Sequence, residues 1–368
     1  MKNFERLAWE DSLDLTVNFQ LARLYQQNGK SLKAISIYKR LLNTDSSNTV
    51  LLKRLGDAYA ETGLALSAIS CYTDAFQLDP REGETAIKAI NLMLINKEQY
   101  GDFIDYALSL IDTALVYTPQ SPNLLQTRGM LEYIANRYVT SEKIFTDLIN
   151  KGYTTKFNYK FQGLSRYQQD KFSEALLPLA QADSLYQDKQ GNHTDLEVAM
   201  KYGEALARVQ NPLEALKVFS EIEEQLQPDN RFLSQLAIRC GMACGFSLQK
   251  RTKAVDYYWK AYKLNPQNTQ AIANFVNYKY RILQDEALRA EASETEIHIA
   301  LFAHILFLQK VRDAAPAKKD SMHAVSREIL EKELEYLFFK GETQLTVTDP
   351  DGKNYTYSAE DIRKLVRP

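Results

Sequence analysis

The chain has 368 residues, 45% of them hydrophobic and 25% charged, with 14 Gly, 10 Pro and a formal net charge of −2. The length exceeds one ordinary hydrophobic core, the composition is far from that of a disordered chain, and so few Gly and Pro cannot supply the turns of a β-sandwich or barrel array. Ordered, helical structure is expected. The near-neutral balance offers no general attraction to phosphate backbones, so nucleic acid is not an expected partner.

Residues 1–14 form a charged lead-in, Met1-Lys2-Asn3-Phe4-Glu5-Arg6 and onwards, without the apolar core of a signal peptide. No stretch is apolar for long enough to predict a membrane span. Three cysteines, Cys71, Cys240 and Cys244, are too few for a disulfide framework and odd in number, which points to a reducing compartment. The cytoplasm is the expected location. The periplasm or another exported location is the alternative if a leader has been removed.

From residue 15 the sequence repeats itself. Leu21-Ala22-x-x-Tyr25, Gly29, Ala34-x-x-x-Tyr38 and Leu41 mark a unit over 15–48. Shifted by 34 residues, Leu52-x-x-Leu55-Gly56-x-x-Tyr59, Gly63, Ala68-x-x-x-Tyr72, Ala75 and Pro80 mark 49–82. A degenerate copy at 83–121 keeps Ala107-x-x-x-Ile111, Ala114 and Pro119 but carries extra residues in or around Glu98 to Phe103. The pattern returns at 122–155 (Gly129, Ser141-x-x-x-Phe145, Leu148) and at 156–189 (Gly163, Ala175-x-x-x-Leu179, Ala182). It continues at 196–229 (Gly203, Ala215-x-x-x-Phe219, Ile222) and ends at 235–268 (Gly241, Ala254-x-x-x-Tyr258, Ala261, Pro266). Each unit puts one apolar stripe on a first helix and another on a second, with a small residue on each that lets the two approach closely. Pro178 falls inside the second helix of 156–189, where it removes an N–H and is expected to kink the helix or delay its start.

Past 268 the signature fades into capping helices over 269–340. A stripe from Ile272 to Leu283 comes first. Ser293-x-x-Glu296 then reads as a capping box before Ile297–Val311, and a last stripe runs from Val325 to Phe338 after a break at Pro316. Residues 341–368 read as a β-hairpin around Asp349-Pro350-Asp351-Gly352-Lys353, followed by a short helix capped by Ser358. The helices should cover the last apolar face of the array.

The repeat motifs resemble the tetratricopeptide repeat (TPR) family, with Leu52 in place of the usual Trp and Tyr72 of the usual Phe in the clearest copy. The resemblance implies an all-α fold, a right-handed α-solenoid of about seven helix pairs over 15–268. It also implies a non-catalytic scaffold that binds a protein or peptide segment in a concave groove lined by first helices. The family's groove positions fall here on Phe19, Arg23, Lys53, Asp57, Tyr133, Phe157, Lys160, Tyr167, Glu204, Arg239 and Phe246. Aromatics mixed with Arg and Lys suit an extended or helical segment carrying apolar and acidic residues, with Tyr167 and Arg239 as anchors. Phe19 and Arg23 stand where the family's carboxylate clamp needs Lys and Asn, which argues against capture of an acidic chaperone tail. The alternative is an exported accessory or assembly protein of the cell envelope.

Catalysis and cofactors are not expected: no P-loop, dinucleotide Gly-rich turn, nucleophile elbow or zinc-protease helix occurs. Glu294, His298 and His304 share a helix but lack a converging further ligand, and Cys240 and Cys244 lack a second ligand pair, so no metal is expected. Asp349-x-Asp351-Gly352 is explained more simply by a hairpin turn than by a calcium loop.

Overall fold

A computed structural model describes residues 14–100, 102–209, 211–225, 230–247, 251–284, 286–312 and 321–366. The chain divides into two compact units, Met1–Leu185 and Tyr186–Pro368.

The first unit is built of antiparallel helix pairs: α1 (Leu15–Gln27) with α2 (Ser31–Thr44), and α3 (Thr49–Glu61) with α4 (Ala65–Leu78). Next come α5 (Gly83–Ile95) and α7 (Ile104–Tyr117), separated by a short helix α6 (Lys97–Tyr100) that takes up the extra residues of the degenerate copy. Then α8 (Pro122–Ile134) pairs with α9 (Tyr138–Asn150), and α10 (Lys156–Gln168) with α11 (Phe172–Tyr186).

Three local devices recur at fixed places in the repeat. First helices start where a short polar side chain, Asp14, Asn48, Ser121 or Thr155, accepts an N–H of the first turn. The turn between the helices of a pair needs one left-handed residue, which is Gly29 (φ 68°) and Gly63 (φ 76°) in two copies. Asn136 (φ 60°) and Asp170 (φ 59°) fill the equivalent place later, the residue types that reach this conformation at least cost after Gly. Finally, a small residue on the first helix lies beneath a large one 16 residues later on the second. A Cβ at Gly56 would meet the Tyr72 ring at 2.8 Å, one at Gly129 the Phe145 ring at 2.7 Å, and one at Gly163 the Leu179 side chain at 2.7 Å.

Pro178 does not delay its helix: α11 begins at Phe172 and runs through it. The carbonyl left without a helical N–H is that of Glu174, four residues earlier, and Arg166 Nη1 donates to it at 3.1 Å. A neighbouring helix thus supplies the hydrogen bond that the proline removes.

The second unit holds α12 (Leu196–Arg208) with α13 (Pro212–Gln225), and α14 (Asn230–Met242) with α15 (Arg251–Leu264). A Cβ at Gly203 would meet Phe219 at 2.5 Å with the usual 16-residue separation, whereas Gly241 meets Tyr258 at 2.6 Å with a separation of 17. The extra residue is absorbed in a π-helical turn, Ala243–Ser247, that continues α14. The first helix of this copy therefore sits one residue out of the expected register. The fifth repeat position belongs to Ile238, only 4% exposed, and not to Arg239.

Four helices follow, α16 (Thr269–Gln284), α17 (Glu286–Glu291), α18 (Glu294–Arg312) and α19 (Ser321–Lys340), then β1 (Gln344–Thr348), β2 (Asn354–Ser358) and α20 (Ala359–Val366). Pro316 lies outside the described residues. The capping box forms as expected, with Ser293 N–H bonded to Glu296 Oε2 at 3.0 Å and Glu296 N–H to Ser293 Oγ at 3.3 Å. Ser358 and Asp361 make a second reciprocal pair ahead of α20. Trp259 of α15 packs on Phe275 of α16 and Phe302 of α18, with ring centroids 5.9 and 5.6 Å apart. The hairpin joins in through Asp351, whose carboxylate accepts Trp259 Nε1 at 2.8 Å and Lys263 Nζ at 2.9 Å. Strand β1 pairs antiparallel with β2, Thr346 opposite Thr356. His304 is fully buried, bonded through Nδ1 to Ser326 Oγ at 2.9 Å, and burial pushes its pKa down to about 3. It is a neutral core group.

Candidate functional site

The residues expected to face a partner differ sharply in what already holds them. On α1, Phe19 is half-buried against Tyr38, centroids 6.1 Å apart, and Arg23 lies 3.5 Å from Gln20 Oε1. On α3, Lys53 is paired with Glu82, and Asp57 accepts Tyr72 Oη at 2.7 Å and Lys88 Nζ at 2.7 Å. In the second unit, Glu204 accepts Lys201 Nζ at 2.9 Å and also Arg239. Phe246 falls in the π-helical turn, with its side chain outside the described residues. Lys53, Asp57, Glu204 and Arg239 thus spend their charge on neighbouring repeats, and a charged partner would have to displace those pairs.

The aromatic residues behave otherwise. Phe145, fully buried in α9, stacks on Phe161 at 5.4 Å, and Phe161 in turn touches Phe157 at 4.8 Å and Tyr133 at 5.3 Å. Tyr133 also meets Tyr138 edge-on at 5.4 Å. The rings form a ladder from the core to the half-buried Tyr133, Phe157 and Phe161 on the faces of α8 and α10. Lys160 places its ammonium 6.0 Å from the Phe161 ring. Tyr167, one residue from the end of α10, packs edge-on to Phe172 at 5.2 Å. Phe161 was missed in the sequence, and Tyr138 read only as a repeat residue of 122–155, because both fall outside the family's groove positions. Their aromatic character within a few residues of Phe157 and Tyr133 was the available signal. Residues 122–171 carry eight Lys and Arg against four Asp and Glu, a local net charge of +4 in a chain of −2.

Beside the ladder, Glu142 is held by Arg166 at 2.9 Å, Lys171 at 2.8 Å and Gln169 at 2.9 Å. Burial opposes its ionisation, but the hydrogen bonds from Lys171, Arg166 and Gln169 outweigh that and hold its pKa below the ordinary 4.5. A depressed folded pKa means a contribution that is complete above the unfolded value and lost as pH falls through the folded one. The cluster should therefore weaken only in acid. Arg166 serves both Glu142 and the Glu174 carbonyl, so Arg166→Met is expected to cost about 1–3 kcal/mol. In a Pro178→Ala background the helix regains its N–H and the cost should fall by about 1 kcal/mol. Urea denaturation of the four proteins checks this; an equal cost in both backgrounds would mean that Arg166 acts through Glu142 alone.

Among the described residues no three His, Cys, Asp or Glu converge on a metal-sized site. Cys71, Cys240 and Cys244 are buried and none forms a disulfide among the described residues, and burial pushes the thiols of Cys71 and Cys240 up to about 11 and about 12. No described helix is long and apolar enough to cross a membrane.

The architecture is that of a predominantly helical repeat protein with a small C-terminal β-hairpin. The tetratricopeptide repeat family profile matches residues 15–48. The C-terminal part of a TPR repeat-containing protein from Cytophaga hutchinsonii aligns with a TM-score of 0.50 at 14% identity, over 70% of this chain and 98% of the other. A tetratricopeptide repeat protein from Parabacteroides merdae aligns at 0.47 and 14% identity, covering 76% and 99%. YrrB, described as a TPR protein with an unusual peptide-binding site, aligns at 0.45 and 20% identity, covering 55% and 96%. No curated protein matches the sequence. Residues 15–48 thus carry a tetratricopeptide repeat, and the chain shares the helix-pair fold of the solved repeat protein it aligns with.

Proposed function

We propose that this chain is a non-catalytic interaction scaffold and that the face of α8 and α10 holds a partner segment with apolar and acidic residues. The observation that carries the reading is the aromatic ladder of Tyr133, Phe157 and Phe161, half-exposed and rooted in the core through Phe145, within a stretch of net charge +4. Rigid aromatic rings give large contact area at small entropic cost, and the excess of Lys and Arg favours acidic neighbours. Lys160 and Tyr167 extend that face. Phe19 and Arg23 extend it toward the N-terminus, while Lys53, Asp57, Glu204 and Arg239 are secondary because each is already paired with a neighbouring charge, and Phe246 belongs to the second unit with Glu204 and Arg239. A cytoplasmic setting agrees with three buried, unbridged cysteines.

The test is fluorescence-anisotropy titration with a labelled peptide array in which Leu or Phe is flanked by Glu or, in matched controls, by Lys. The acidic series should bind and the basic series should not. Tyr133→Ala and Phe157→Ala should each weaken binding by about 1–3 kcal/mol with unchanged helicity. Equal binding of both series, or no effect of either substitution, would place the binding surface elsewhere.

A further inference from the structure

We propose that the outer edge of β1 is a self-association surface, on which a second copy of this chain lays its own β1 antiparallel to form a four-stranded sheet. The inference rests on the second unit and is independent of the peptide-binding reading.

The backbone pattern defines the edge. Asp349 N–H bonds to Lys353 C=O and Ala359 N–H to Thr343 C=O, each at 2.9 Å. Antiparallel alternation between those bonds assigns the ladder to the pairs Leu345–Tyr357 and Val347–Tyr355. The N–H and C=O groups of Gln344, Thr346 and Thr348 then point away from β2. Among the described residues the sheet has two strands only, and no described strand lies beside this row. Soluble proteins blunt such rows with Lys, Pro or a bulge. The strand Gln-Leu-Thr-Val-Thr is short, five residues, but carries none of these, and its register with β2 is continuous.

The surroundings mix charged and apolar surface. A cleft of about 670 Å³ opens beside the strand between α18 and α19, with Leu301, Leu337 and Leu345 in a lining that also holds the charged Arg289, Glu294 and Glu333. Just before the strand, Phe338 and Phe339 are 77% and 89% exposed, an extreme for adjacent aromatic residues at the end of a helix.

A second copy fits the edge better than an unrelated strand because the edge matches itself. Antiparallel pairing about a twofold axis through Thr346 sets Gln344 opposite the partner's Thr348, and threonine opposite threonine at the centre. No charge meets a like charge along the strand. The axis stands normal to the sheet, so the buried faces of Leu345 and Val347 in the two copies lie on the same side, and the two-stranded hairpin, marginal by itself, becomes a wider sheet.

Sedimentation velocity of the full chain across the micromolar range tests the proposal. A dimer is expected. Thr346→Lys and Thr346→Glu, at an exposed position whose side chain does not serve the core, should each weaken it at least about tenfold, because like charges then face one another at the axis. An equimolar mixture of the two variants should restore dimer that neither forms alone. Thr346→Pro, whose missing N–H lies on the outer edge and not in the ladder, should also dissociate the dimer with unchanged circular dichroism. A wild-type monomer throughout, as expected if the edge serves an extended segment of another protein, overturns the proposal. So does a dimer indifferent to all three substitutions, or one that the charge-swapped mixture fails to restore.

Discussion

A chain ended after Asn268 is expected to aggregate. The last helix pair of the array turns Val255 and Trp259 toward α16 and α18, and both are under 8% exposed in the complete protein. Trp259 alone touches Phe275 and Phe302 and gives its indole N–H to Asp351. Uncovering an aromatic side chain of this size removes about 4–6 kcal/mol of burial at ordinary surface values. That is a large share of a domain's net stability, and it leaves an apolar face without a partner. Size-exclusion chromatography and circular dichroism of the 1–268 fragment check this. A soluble monomer with full helicity would show that the C-terminal third folds apart from the array.

Gly56→Leu is the second large effect, expected to destabilise by about 1–3 kcal/mol. The first added carbon already falls 2.8 Å from the Tyr72 ring. Whether that matters depends on whether the ring can move aside, and two features hold it. Tyr72 is 3% exposed, and its hydroxyl donates to Asp57 at 2.7 Å. Yielding would therefore break a hydrogen bond to a carboxylate as well as disturb the packing, and would strand part of the Lys88–Asp57 pair. The urea midpoint should fall with little change in slope, and Gly56→Ala should show a smaller loss of the same sign. An unmoved midpoint for Gly56→Leu would mean that α3 does not pack on α4 through this face.

The fold was legible because repetition multiplies weak signals. One Gly with an Ala twelve residues later says little, but Gly56 with Ala68, Gly129 with Ser141, Gly163 with Ala175 and Gly203 with Ala215 share one cause, the close approach of two helices. The capping box at Ser293 and the hairpin turn at Asp349 were legible for a different reason, since each is a local motif whose partners lie within a few residues. The charges of the candidate site were hard to read. Whether Lys53 faces a partner or Glu82, and Asp57 a partner or Lys88, depends on side chains about 30 residues away. A position in a repeat does not report that. The aromatic ladder was half visible: Tyr133 and Phe157 hold groove positions, whereas Phe161 joins them only because α8 and α10 pack side by side. Register in the last copy failed by one residue because the motif after the turn, Ala254 to Tyr258, was intact and hid the surplus before it.

That surplus bears on how the array tolerates changes of length. Inserting or deleting one residue in an α-helix turns everything beyond it by about 100° and takes its contact stripe off the neighbouring helix. In the π-helical turn Ala243–Ser247 the added residue is looped out at the end of α14, past the Gly241 contact and before α15 begins, so neither stripe rotates. A chain lacking one of those five residues would return to the 16-residue spacing of the other copies. The end of the first helix is thus a place where a repeat of this kind can gain or lose a residue while the packing on both sides keeps its alignment.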